Sequence, residues 1–136
     1  MNYWLLKSEP DVYSWDDLVA TGDKGEPWTG VRNHTAKLNM MAMKLGDRCF
    51  FYHSNAGKEI VGVAEVVKEA YVDPTDATGK FYCVDIKAVE PLAKPFTLAQ
   101  AKVDPAVAKM SLVTSFRLSV QPVTSEEWAY ILQASR

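Results

Sequence analysis

The sequence predicts an α+β fold, a small, curved or barrel-like and mainly antiparallel sheet with helices at its margins. Two observations carry this. Runs rich in β-branched and aromatic residues cluster in the middle of the chain, and segments with helical caps and periodicity stand on either side of them. With 136 residues, 48% of them hydrophobic and 24% charged, the chain has the size and composition of one globular domain with one core, so residues 1–136 read as a single unit.

The elements follow in order. "YWLL" (residues 3–6) is a short apolar run, and Pro10 ends any ladder, so a buried strand leads into a polar loop. "SWDDLVA" opens with Ser14 and has Asp17 three residues on, a capping-box variant that starts a short helix reaching to about Gly22. "GDKGEPWTG" is loop, by its three glycines and Pro27. "NHTAKLNMMAMKL" (33–45) has good helix formers, Asn33 as cap and Gly46 as terminator; its Leu38, Met41 and Leu45 share a face, read as core packing. "DRCFFYHS", "EIVGVAEVVKEAYVD" and "KFYCVDIKAV" read as three successive strands, joined by turns in "NAGKE" and "PTDATG". "FTLAQAKVDPAVAKM" is weakly helical and broken at Pro105, "FRLSVQPV" alternates as a last strand, and "TSEEWAYILQA" closes as a helix boxed by Thr124 and Glu127.

Composition narrows the function. A formal charge of −2, from 15 basic and 17 acidic residues, argues against binding by blanketing phosphates but leaves room for a compact site that reads one nucleotide. No segment approaches the roughly 20 apolar residues of a membrane span, and "MNYWLLKSEP" has too short an apolar run for a signal peptide. The expectation is a cytoplasmic protein without a membrane. Cys49 and Cys83 lie inside apolar stretches with no nearby Cys or His at ligand spacing, so they read as buried thiols with no metal site. The chain has no "GxSxG", "GxGxxG" or P-loop pattern and only two histidines, His34 and His53, so it is not read as an enzyme.

Three polar clusters flank predicted strand ends or helix starts: Lys7, Ser8 and Glu9; Trp28 with Arg32, Asn33 and His34; and His53, Ser54 and Asn55. They supply a stacking surface, cations, and donors and acceptors, an inventory that suits a planar heterocycle. From position alone Trp28 is either a plug over the core or a wall for stacking. Arg32 is either a phosphate partner or an ion-pair partner for Glu9 or Asp47, His53 a strand-end histidine or a contact, and Asn55 a turn residue or a reader.

Taken together and in this order, "YWLLKSEP", "WTGVRN", "GDRCFFYHSN", "IVGVAEVV" and "RLSVQPVT" resemble the EVE domain family over essentially the whole chain. The resemblance implies a PUA-like superfold, a small curved β-barrel with flanking helices. It also implies a non-enzymatic reader of DNA or RNA that takes a flipped or single-stranded modified base, C5-methylated or hydroxymethylated cytosine among them, without cofactor or metal. Carried onto this sequence, the implied pocket comprises Lys7, Ser8, Glu9, Trp28, Arg32 and Asn33, with His53, Ser54 and Asn55 as the opposite rim. Trp28 would stack on the base, Ser8 and Asn55 read its edge, and Lys7, Arg32, Arg117 and Ser119 meet the backbone. The related YTH domains use a second cage tryptophan, for which Phe81 or Tyr82 are the aromatic candidates here, and alternation lets just one face inward. The chain also lacks the basic extension expected of nuclear members. The alternative reading is a sensor or enzyme acting on a free nucleotide or other small metabolite in the same pocket.

Overall fold

The computed structural model describes residues 1–115 and 117–136. Its elements are β1 (Tyr3–Ser8), α1 (Trp15–Ala20), a 3-10 turn (Gly22–Lys24), β2 (Glu26–Pro27), α2 (His34–Ala42), β3 (Arg48–His53), β4 (Glu59–Val72), β5 (Tyr82–Thr97), α3 (Leu98–Val103), α4 (Ser111–Thr114), β6 (Val120–Val123) and α5 (Ser125–Ala134). Among the described residues the strands form one sheet in the order β2-β5-β4-β3-β1-β6.

The β1–β3 pair is parallel, with Lys7 beside Tyr52 and Ser8 beside His53, and the other described pairings are antiparallel. This brings the polar ends of two strands distant in sequence to one end of the sheet. Register shifts at Phe51/Tyr52 and along β4–β5 mark bulges, which bend and twist the strands that carry them.

The barrel expectation needs correction: the described sheet runs from edge to edge and does not close. Both edges carry proline, Pro27 in β2 and Pro122 in β6, and a residue without an N–H cannot extend a ladder on that side. Strand β5 also outruns its expected end at Val89, continuing through Pro91 and Pro95 to Thr97. Among the described residues only β4 pairs with that second half, so the prolines occupy an edge.

Both faces of the sheet are buried. Trp4, Leu6, Cys49 and Phe51 belong to one core with Trp15, Trp28 and Met40, while their neighbours Leu5, Phe50 and Tyr52 belong to a second with Phe96, Leu112 and Trp128. Alternation along β1 and β3 therefore feeds two cores, which is why those strands read as continuous apolar runs. Cys49 and Cys83 are buried free thiols, and burial raises both above their usual range.

The capping boxes at Ser14–Asp17 and Thr124–Glu127 form as expected, and Thr97–Gln100 adds another at α3. Helix α2 differs. It ends at Ala42, and Leu38, Met41 and Leu45 are 51%, 43% and 63% exposed, so the expected core face looks outward. The packed side is Ala36 and Met40, one turn apart, followed by Met43; Asn39 Nδ2 pins it by donating to Val120 O at 2.7 Å. The expected strand over residues 116–123 is shorter, β6 alone, and its first residue, Phe116, lies outside the described residues.

Candidate functional site

A cavity of about 580 Å³ opens where β1 ends, between the loop after it and the loop entering α2. Lys7, Ser8, Glu9, Trp28, Arg32, Asn33 and Ser119 line it, so most of the first two sequence clusters meet there. Its volume falls in the range of about 300–1,000 Å³ usual for ligand pockets.

The loop "WTGVRN" is held at nearly every residue. Trp28 N donates to Val84 O at 2.7 Å, extending the β2–β5 pairing by one bond. Gly30, at φ 87°, takes the left-handed conformation that a residue with Cβ disfavours, and its N–H donates to Asp73 Oδ2 at 2.8 Å. Arg32 donates from Nη1 to the same oxygen at 3.1 Å and from Nη2 to Thr75 Oγ1 at 3.0 Å, while its guanidinium lies 5.5 Å from the Phe81 ring centre. Asn33 Oδ1 accepts from Ala36 N at 2.9 Å and caps α2.

Arg32 is thus an ion-pair partner, but of Asp73 and of neither Glu9 nor Asp47. Asp47 is buried and accepts from Trp4 Nε1, Asn2 N and Lys44 N. Asp73 is fully buried, whereas the Arg32 side chain keeps 41% exposure. Burial raises the Asp73 carboxyl, but the hydrogen bonds from Thr75, Gly30 and Arg32 outweigh it and hold the group below its ordinary range.

The opposite wall is Tyr13. Glu9 O accepts from Val12 N and Tyr13 N, and Ser8 Oγ donates to Tyr13 O, so the turn after β1 is tightly wound. This sets the Tyr13 ring edge-on to Trp28, centres 6.0 Å apart at 80°. Trp28 in turn meets Phe51 edge-on at 5.6 Å and is 8% exposed, so it both seals the core and lines the cavity. The Tyr13 hydroxyl is buried beside the Glu26 carboxylate. Burial, then the nearby Glu26 and Asp17 carboxylates, push its phenol up to about 12, so it stays a donor at neutral pH. Glu26 lines the same cavity, and half-burial lowers the Lys7 ammonium below its usual value.

Other expectations fall elsewhere. His53 is absent from the described lining: its Nε2 accepts from Trp15 N at 3.1 Å at the start of α1, and burial lowers its pKa against the opposing pull of Glu59 and Asp16. Ser54 and Asn55 line a different cavity with Tyr52, Leu98 and Leu112, of the second core; Ser54 stands two residues after Tyr52, so strand alternation gives both the same face. Asn55 is in a left-handed turn at φ 63°. Arg117 borders a third cavity beside Asn33. Neither Phe81 nor Tyr82 lines the Trp28 cavity; the second aromatic there is Tyr13, and sequence reasoning missed it together with Glu26. Adjacency was the available signal, since Tyr13 precedes the Ser14 cap and Glu26-Pro27 precedes Trp28.

The family model of the EVE domain matches residues 2–134. Mouse thymocyte nuclear protein 1 is 37% identical, the match covering 96% of this chain and 72% of that protein. Among solved structures, a protein from Rhodopseudomonas palustris is 62% identical with a TM-score of 0.95, covering 99% of this chain and 93% of that one. The crystal structure of human THYN1 protein in complex with 5-methylcytosine-containing DNA is 33% identical with a TM-score of 0.91, covering 100% and 98%. The relatives' name, thymocyte nuclear protein 1, points to the nucleus and overturns the cytoplasmic expectation. No described helix is long and apolar enough to cross a membrane.

Proposed function

Because the chain belongs to the EVE domain family, we propose that residues 1–136 act as one non-enzymatic reader domain whose Trp28 cavity takes a modified cytosine from DNA. The observation that carries this reading is the cavity's make-up: two aromatic walls, Trp28 and Tyr13, with the buried Tyr13 hydroxyl and the Glu26 carboxylate side by side. The human relative solved with 5-methylcytosine-containing DNA supplies the ligand class.

In this reading the base stacks on Trp28, a contact worth about 1–3 kcal/mol per base. Glu26 accepts from the exocyclic amine, and the Tyr13 hydroxyl donates to the ring's acceptor edge. The C5-methyl packs on the apolar rim of Val12, Pro27 and Val31, where one buried methyl contributes about 0.8 kcal/mol. Extrusion from a duplex costs a few kcal/mol, so a base already unpaired binds best. Lys7 meets backbone phosphate, while Arg32, paired with Asp73, acts mainly by positioning the loop.

Fluorescence anisotropy of labelled strands with cytosine or 5-methylcytosine tests this, using wild type and Trp28→Leu, which fills the plug position without offering a ring face. Thermal melting verifies that the variant is folded. The reading expects a preference for the methylated strand that Trp28→Leu abolishes. Equal binding of both strands by wild type, or a free nucleoside binding as tightly as its strand, refutes it.

A further inference from the structure

A second cavity, of about 560 Å³, lies on the other side of the same strand end and is lined by Lys7, Lys58 and Lys102 together with Tyr52, Ser54 and Asn55 over an apolar floor. Its described lining contains no carboxylate, in a protein whose formal charge is −2. Three lysines lining one concavity, with a hydroxyl and an amide beside them, are chemistry for a compact anion rather than a base edge. The Trp28 cavity differs, since Glu9 and Glu26 there balance Lys7 and Arg32.

The backbone supports a purpose for Lys58. It adopts φ 50°, a left-handed conformation unusual for a residue with Cβ, directly after Gly57, and its carbonyl accepts from Leu98 N at 2.9 Å. Asn55 tolerates such a conformation, but a lysine at this φ is strained where glycine would not be. Lys7 lines both cavities, and its ammonium lies 5.6 Å from the centre of the Tyr52 ring.

We propose that this three-lysine cavity binds a phosphoryl group, the phosphodiester adjoining the nucleotide whose base enters the Trp28 cavity. The inference rests on the reader function proposed above for the polymer as source; free phosphate shares the chemistry, and the test separates the two. Lys7 is the joint between the subsites, one side chain facing the base pocket and the phosphate pocket. The Ser54–Asn55 turn thereby serves the backbone instead of the base edge.

The experiment uses the full chain, wild type and a Lys58→Gly/Lys102→Ala double variant, with Lys58→Gly alone as the control for folding because glycine suits φ 50°. Anisotropy measures the affinity of 5-methylcytosine and cytosine single strands across a salt series. The proposal expects the double variant to weaken both strands alike and to reduce the slope of log K against log salt by about 0.7 per lysine, the single-strand value, with the methyl preference intact. In the second arm inorganic phosphate is titrated and the melting temperature read. A melting shift in wild type that the double variant loses, with an unchanged salt slope on the strands, assigns the cavity to free phosphate and overturns the backbone source. No change in either arm overturns the site. Loss of the methyl preference in wild type is a failure of the base-reading proposal, and the salt slope then still decides the lysine cavity.

Discussion

Replacing Asp73 by asparagine measures how far the Trp28 loop depends on one buried carboxylate. Oδ2 accepts from Gly30 N at 2.8 Å and Arg32 Nη1 at 3.1 Å, and Oδ1 accepts from Thr75 N and Oγ1, both at 2.7 Å. An amide offers one acceptor oxygen and one donor nitrogen in that space. Turned toward Gly30, the amide nitrogen would oppose two fixed donors. Turned toward Thr75 it opposes one, because the hydroxyl can rotate to accept, so this orientation wins. It leaves the Thr75 N–H without an acceptor, at about 1–3 kcal/mol, and makes the Gly30 bond neutral while the Arg32 bond keeps only the guanidinium charge, about 1 kcal/mol more in net. Arg32 is partly exposed and recovers solvent, which limits the second contribution. Asp73→Asn should therefore destabilise by about 2–4 kcal/mol in urea titration, with an unchanged m-value. The acid limb gives the sign check. The folded-state pKa of Asp73 is lowered from 3.8, so its stabilisation is fully present above the unfolded value and lost as pH falls through the lower folded one. The gap between wild type and variant should narrow in strong acid. A destabilisation under about 0.5 kcal/mol at neutral pH, the range of an inconsequential surface change, or a gap that does not narrow, would refute the assignment of the loop to this carboxylate.

Three further outcomes follow from the fold. His53 Nε2 accepts from Trp15 N, so only the neutral ring makes that bond, and its pKa is lowered from 6.5; stability should be full above 6.5 and fall as pH drops through the lower folded value. His53→Gln, whose Oε1 can accept from the same N–H, should flatten that slope in melting curves taken from neutral to mildly acidic pH. A Cβ on Gly62 would lie 2.5 Å from the Trp15 ring, which also packs edge-on against Phe51, so Gly62→Ala should destabilise by about 1–3 kcal/mol in urea titration, with Trp15→Leu in the same chain cancelling the effect. Thr124→Ala removes the acceptor for Glu127 N at the start of α5 and should destabilise by about 1 kcal/mol in the same titration.

Local features of the fold were legible in the sequence because their physics is local. Ser14, Asn33 and Thr124 cap the helices they precede, and the pattern needs only three or four residues. The "WTGVRN" loop was legible as polar frame and ring together, and Trp28 seals the core while also lining the cavity. Long-range choices were not. Arg32 has several carboxylates within reach in principle, and the one it meets is 41 residues away across the sheet. Leu38, Met41 and Leu45 share a helical face as well as Ala36 and Met40 do, and only docking decides which face is covered. Ser54 and Asn55 follow the strand that runs parallel to β1, and Ser54 shares a cavity with Tyr52, two residues before it, while His53 between them packs against Phe51 of the first core, so the sequence cluster joined residues of opposite faces. Prolines at 91 and 95 ended the predicted strand because nothing in the sequence identifies an edge.

The central claim is that a methylated cytosine lies against Trp28, and the most direct measurement is the NMR shift of an isotope-labelled C5-methyl in a short DNA strand titrated with the protein. The account predicts that the methyl resonance moves on binding, since the stacked base carries it to the edge of the Trp28 ring, and that Trp28→Leu, still folded, reduces the shift. Binding that leaves the methyl resonance where it stands in free DNA would put the base elsewhere and contradict the account.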